Sequence, residues 1–319
     1  MALLSVRDLS VAFETRDGLV RAVNDVTFAL DAGKVLALLG ESGSGKSVTL
    51  RAILGLHPAV RTRVSGEVLL KGRDVNRLDE AARERLRGGV VSMVFQEPMT
   101  ALDPVYTIGE QIVETLVQHR GLDRRGASRR ARELLDLVQV PSAERCLASY
   151  PHEISGGMRQ RAMIAIALAC DPELLLADEP TTALDVTVQA QILWLLRDLQ
   201  QRLGLAVIFV THDLGVAAEI ADAAAVMYAG RIVEQAPIRD LFRRPAHPYT
   251  EGLMQATVRR GQKGRALVPI PGAPPNLIAL PAGCAFAPRC PRAYDACLAT
   301  LPSFHPVAAG HAARCHLVA

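Results

Sequence analysis

GESGSGKS, Gly40 to Ser47, lies between the apolar run KVLALL and a stretch of helical periodicity. A strand that turns through glycines into a helix leaves few folds open. The same geometry aims consecutive backbone amides at one point in front of a helix N-terminus. Gly40, Gly43 and Gly45 give the turn its backbone freedom, with Glu41, Ser42 and Ser44 between them. A loop of this kind cradles nucleotide phosphates. Lys46 is expected to bridge the β and γ phosphates and Ser47 to ligate Mg²⁺ through its hydroxyl, with Val48 in the same binding set. A plain glycine turn before a helix has the same local pattern, so the loop needs a second element to carry chemistry.

LLLADEP, Leu174 to Pro180, is that second element: an apolar strand that delivers Asp178 and Glu179 at its C-terminal end, where the ligands of parallel sheets sit. Asp178 is expected to hold the Mg²⁺ shell and Glu179 to polarise an attacking water. The pattern around these motifs alternates. Strand-like runs (LLSVRDLSVAF, RAVNDVTFAL, AVIFV, AAVMYAGRIVEQ) are separated by helical ones, which predicts a mainly parallel sheet covered on both faces. From about Ala81 to Asp171 apolar residues fall three and four apart, predicting a helical insert. After Pro245 proline and glycine crowd the chain, and a separate loop-rich extension is expected.

Charge narrows the partners little, because Lys and Arg exceed Asp and Glu by only three over 319 residues and no run of like charge resembles a nucleic-acid arm. The N-terminal apolar pair is interrupted by Arg7 and Asp8, so no signal peptide is read there. Ala162 to Cys170, the longest apolar run, is about half of the roughly 18 residues a membrane span requires. A cytosolic chain is the expectation, and there clustered cysteines read as metal ligands or core before they read as disulfides.

ISGGMRQR, Ile154 to Arg161, opens a helix with Ser155, Gly156 and Gly157, a hydroxyl and uncluttered amides at a positive helix end. With the two elements above, the chain here resembles the ATP-binding cassette family, whose Ser-Gly-Gly signature caps the γ-phosphate of ATP bound to the opposing subunit. The resemblance implies an α/β P-loop NTPase fold: a RecA-like core with a β-rich N-terminal part and a helical subdomain at about 97–171, together spanning 1–242. It also implies roles for further positions. Gln96 in VFQEP matches the glutamine loop that senses Mg²⁺, and His212 in FVTHD the switch histidine at the γ-phosphate. Asp185 in TALD matches the loop that crosses the dimer interface, and Phe13 the aromatic that stacks on adenine. Ile154 and Met158 depart from the family's usual leucine and glutamine, and Met158 cannot donate the hydrogen bond that glutamine can.

PMTALDP, HPYTEGLM, PIPGAPP and the cysteines Cys284, Cys290, Cys297 and Cys315 narrow the resemblance to the dipeptide and oligopeptide importer ATPases. That group implies a nucleotide-sandwich dimer, often with a second, different ATPase subunit. It further implies two membrane permease subunits, an extracytoplasmic peptide-binding protein, no nucleic acid, and a peripheral place on the cytoplasmic side of the inner membrane. Nickel, glutathione or murein-peptide import by the same group is the alternative, and a soluble non-transport ATPase a more distant one. In residues 243–319 the cysteines are separated by five, six and seventeen residues, which fits neither short ferredoxin runs nor common zinc spacings. Some members of the group carry an iron–sulfur cluster. A 4Fe–4S cluster, a zinc ion and unligated thiols stay open at this point. Cys146 and Cys170 fall in helical segments and read as core.

Overall fold

The computed structural model describes residues 2–182, 184–256 and 268–318. They group into two compact units, one of Met1–Leu30, Val35–Asn76 and Phe209–Ala319, the other of Asp31–Lys34 and Arg77–Ile208. The class is α/β, as expected from the alternating pattern.

The first unit opens with β1 (Leu4–Thr15), β2 (Gly18–Leu30) and β3 (Val35–Leu39), then α1 (Lys46–Ile53), β4 (Thr62–Leu70) and β5 (Arg73–Asp74). β2, β1, β4 and β5 form a four-stranded sheet in that order, with β1 antiparallel to both β2 and β4. Leu4, Val6, Leu9 and Val11 of β1 are fully buried, which pins the register of both pairings because a one-residue slip would turn them to the other face. β3, VLALL, is buried at every position. An unbroken apolar run of this kind suits a strand covered on both faces, and β3 does pair in parallel.

The second unit carries α2 (Glu80–Leu86), β6 (Val91–Val94), α3 (Pro98–Ala101), α4 (Ile108–Arg120), α5 (Arg124–Leu137), α6 (Ala143–Ala148) and α7 (Gly156–Leu168). β7 (Leu174–Asp178) and α8 (Val186–Leu203) follow. β6 and β7 pair in parallel. The start of α4 is a reciprocal cap: Thr107 Oγ1 accepts from the Glu110 amide while the Glu110 carboxylate accepts from the Thr107 amide at 2.8 Å. Gly121, left-handed at φ 63°, ends it. α4 packs on α5 and α6, and α5 on α7. Ile108, Ile112 and Leu116 of α4 and Leu134 and Leu135 of α5 are buried, each contributing about 1.5–3 kcal/mol.

β8 (Ala206–Thr211) leads back into the first unit, which continues with α9 (Leu214–Ile220), β9 (Ala223–Tyr228), β10 (Arg231–Pro237), α10 (Ile238–Arg243) and α11 (Pro248–Gln255). α12 (Asp295–Ala299), β11 (His305–Ala308) and β12 (His311–Ala313) complete it. β3 pairs in parallel with β9, β9 and β10 are antiparallel, and β12 pairs antiparallel with both β10 and β11. A short hairpin, β11–β12, joins β10 through β12 just before Cys315. Strands of four and three residues carry too little periodicity to be read from HPVAAGHAA.

Candidate functional site

In the first unit the loop between β3 and α1 has the backbone its glycines foretell. Gly40 lies at φ 150° and Gly45 at φ 104°. A β-carbon on Gly45 would fall 2.5 Å from the Ala22 carbonyl oxygen, and one on Gly40 would strike the Met227 carbonyl. The loop is thus held against β2 and β9 so closely that only hydrogen fits. Lys46 is buried, and its ammonium donates to the carbonyls of Gly40 at 2.8 Å and Glu41 at 2.9 Å. Thr49 Oγ1 donates back to the Gly45 carbonyl at 3.0 Å, tying the first turn of α1 to the loop. Ser44 Oγ is buried with no hydrogen-bond partner among the described residues. A buried hydroxyl with no protein partner, two residues before a buried ammonium at a helix N-terminus, suits an anion-binding cradle.

Phe13, half-buried on β1, meets the His57 ring edge-on at 5.4 Å between centroids. His57 Nε2 is 2.9 Å from the Val48 carbonyl, and burial lowers the His57 pKa despite that contact. His212 lies exposed just after β8, where Asp213 caps α9 by accepting from the Gly215 and Val216 amides.

In the second unit β7 delivers Asp178, buried, and then Glu179, whose backbone is left-handed at φ 45°. A glutamate there is unfavourable by roughly 1–3 kcal/mol, strain of the sort that clusters at functional sites. Glu179 Oε2 accepts from Thr182 Oγ1 at 2.9 Å and from Gln96 Nε2 at 3.3 Å, so two residues 83 positions apart meet at one carboxylate. Ser155 caps α7, its Oγ accepting from the Met158 amide at 3.3 Å. A β-carbon on Gly157 would lie 2.8 Å from Val188 Cγ1, so that glycine also permits close packing of α7 on α8. Asp185, exposed, caps α8 by accepting from the Val188 amide at 3.0 Å.

Cys284, Cys290, Cys297 and Cys315 are all free and line one small pocket of the first unit, together with His247 and His316. The Cys284 amide donates to the Cys297 carbonyl at 2.8 Å, which joins two of them across the pocket. Burial raises the pKa of Cys284, Cys290 and Cys315, while backbone amides hydrogen-bonded to their sulfurs, from Phe286 and Ala287, Arg292 and Leu317, work against the rise. Among the described residues no group of three or more His, Cys, Asp or Glu side chains is arranged to hold a metal ion. His247 accepts the Tyr249 amide at Nδ1, its Nε2 is buried with no partner among the described residues, and burial depresses its pKa to about 3.

Two residues the motifs did not point to stand beside the phosphate loop. The Tyr249 hydroxyl accepts from the Glu41 amide at 2.8 Å, and Arg289 pairs with the Glu41 carboxylate. Separations of 208 and 248 residues leave no local signal for either.

The family described as ABC transporter matches residues 23–182, and the one described as oligopeptide/dipeptide transporter, C-terminal region, matches 233–297. A putative peptide import ATP-binding protein of Brucella melitensis is 52% identical, covering 98% of this chain and 96% of its own. The oligopeptide transport ATP-binding protein OppD of Salmonella typhimurium is 51% identical over 92% of this chain and 88% of its own. Among solved structures, the dimeric post-hydrolysis state of the cassette MJ0796 bound to ADP and Pi is similar at a TM-score of 0.66 and 28% identity. It covers 74% of this chain and 99% of that one.

Proposed function

The chain belongs to the ABC transporter ATPases, and from that membership we propose that it powers import of dipeptides or oligopeptides through a membrane transporter by hydrolysing ATP. The observation that carries the peptide reading is the match of residues 233–297 to the oligopeptide/dipeptide transporter C-terminal region, within a chain about half identical to peptide import ATP-binding proteins along nearly its whole length. Residues 1–242 form the ATPase domain in this reading, with 97–171 as its helical part, and 243–319 the extension.

The loop amides of Gly40 to Ser47 and the Lys46 ammonium bind the ATP phosphates, and Phe13 takes the adenine. Ser47, Gln96 and Asp178 would offer hard oxygen donors to Mg²⁺, which would supply charge neutralisation for the phosphates. Glu179 accepts the proton of the attacking water. His212 contacts the γ-phosphate and orients that water. Ser155, Gly156 and Gly157 cap the γ-phosphate of ATP on a second cassette, and Asp185 lies in the loop facing that partner.

Two cassettes close over ATP and pull on two membrane permeases, the second cassette being a different gene product. An extracytoplasmic binding protein supplies the peptide. Among the described residues no helix is long and apolar enough to cross a membrane. The surface after Gln96 has the character of a permease-docking site, since Met99, Val105 and Tyr106 are exposed there. Affinity purification of the chain from detergent-solubilised membranes of its own cells is expected to recover two multi-span permeases and a second cassette. Recovery of ribosomes or DNA without a permease would overturn the transport reading.

The four cysteines are assigned to a 4Fe–4S cluster in preference to zinc. Support comes from the convergence of the four thiols on one pocket. Such a cluster would staple a segment with little apolar sequence of its own. Anaerobically purified protein is expected to hold about four iron and four sulfide per chain, both lost in Cys290→Ser. One zinc per chain, or no metal at all, would refute the assignment.

A further inference from the structure

Arg289 comes from the far end of the chain, yet it is one of the most completely engaged side chains beside the phosphate loop. Only 5% of it is exposed. Its Nη1 and Nη2 donate to the two carboxylate oxygens of Glu41 at 2.7 and 3.0 Å, a bidentate pair. Its Nε donates to the Pro271 carbonyl at 2.8 Å, and Nη1 also reaches the Tyr228 hydroxyl at 3.3 Å. Glu41, the second residue of the loop, is held at three points. Its carboxylate takes Arg289, its amide donates to the Tyr249 hydroxyl, and its carbonyl accepts the Lys46 ammonium.

A partly buried glutamate inside a phosphate-binding loop opposes the anion the loop is built to receive. A guanidinium locked onto it cancels that charge locally and fixes the main chain from which Lys46 hangs. We propose that Arg289 is a positioning residue for ATP: by neutralising and orienting Glu41 it sets the first turn of the phosphate loop and the Lys46 ammonium. The C-terminal extension is therefore a working part of the nucleotide site. The same short turn, Ala287–Arg289, is flanked by Cys284 and Cys290, so the cysteine pocket and the phosphate loop share one element. The proposal rests on the reading of the chain as an ATPase.

The test is steady-state hydrolysis and nucleotide binding by the full chain for the parent, Arg289→Gln, Arg289→Lys, Glu41→Gln and the Arg289→Gln/Glu41→Gln double variant. Arg289→Gln is expected to raise KM and Kd for ATP about tenfold with kcat within about twofold, the loss of a charged hydrogen-bonding pair being felt in ground-state binding. Arg289→Lys should recover part of that affinity. Glu41→Gln removes the opposing charge along with the carboxylate that orients the loop, so it should weaken binding less than Arg289→Gln does, and the double variant should be no weaker than Arg289→Gln alone, because the two side chains act as one unit. A purely structural role would lower the fraction of active enzyme, and so kcat, with KM unchanged. That result, or single effects that multiply in the double variant, would overturn the proposal. A parent chain that neither binds nor hydrolyses ATP would overturn the ATPase reading itself.

Discussion

Glu179→Gln is expected to lower ATP hydrolysis by at least about 100-fold, or about 2.7 kcal/mol in the barrier, while leaving ATP affinity within a few-fold of the parent. The Glu179 carboxylate can take a proton from water, and a carboxamide of the same shape cannot. The amide oxygen still accepts from Thr182 Oγ1, so the local fold survives and the loss is chemical. Phosphate release and nucleotide titration on the same preparation separate the two effects. Glu179→Gly sharpens the test. Its backbone sits at φ 45°, a conformation glycine adopts freely, so removing the side chain should leave the melting temperature no lower than that of the parent while hydrolysis is equally lost. A Glu179→Gln protein that turns over ATP at the parental rate would remove Glu179 from the mechanism.

That strained position was not legible in the sequence, although the residue was. LLLADEP announces a buried strand ending in two acids, because an apolar run bounded by a proline is a local signal. The turn of Glu179 into the left-handed region, and its meeting with Gln96, depend on packing across 83 residues. The phosphate loop was readable down to individual glycines for the opposite reason. The positive φ at Gly40 and Gly45 and the close approach of the Met227 and Ala22 carbonyls are demands that only glycine meets, so they leave a mark on the sequence. The extension was legible as proline-rich and cysteine-bearing, yet the β12–β10 pairing and the Arg289–Glu41 pair were hidden by strand brevity and by chain separation. Convergence of the four cysteines could be allowed for from turn-forming composition, but their spacings named no ligand set.

What ties that extension down leads to the second large effect, at Glu234. This residue of β10 has no exposed surface, and its carboxylate takes three partners: the Ala246 amide at 2.7 Å, the His247 amide at 2.9 Å and His311 Nε2 at 2.8 Å. Two of those partners begin the segment that carries α11, and the third lies on β12, so one side chain pins both ends of the extension to the ATPase strand. Glu234→Ala leaves two amides and an imidazole nitrogen without a partner in a dry interior, a cost of about 3–5 kcal/mol. At roughly 2 °C per kcal/mol for a chain of this size, the melting temperature should fall by about 6–10 °C. Glu234→Gln is the informative control. It is nearly isosteric, but an amide group would turn N–H toward N–H, so it should cost almost as much as the alanine. Were the residue merely filling space, Glu234→Gln would melt with the parent and only Glu234→Ala would fall. Because Arg289 and the cysteine pocket lie in the segment that Glu234 holds, the same variants should also become susceptible to limited proteolysis after α10 before the ATPase core unfolds.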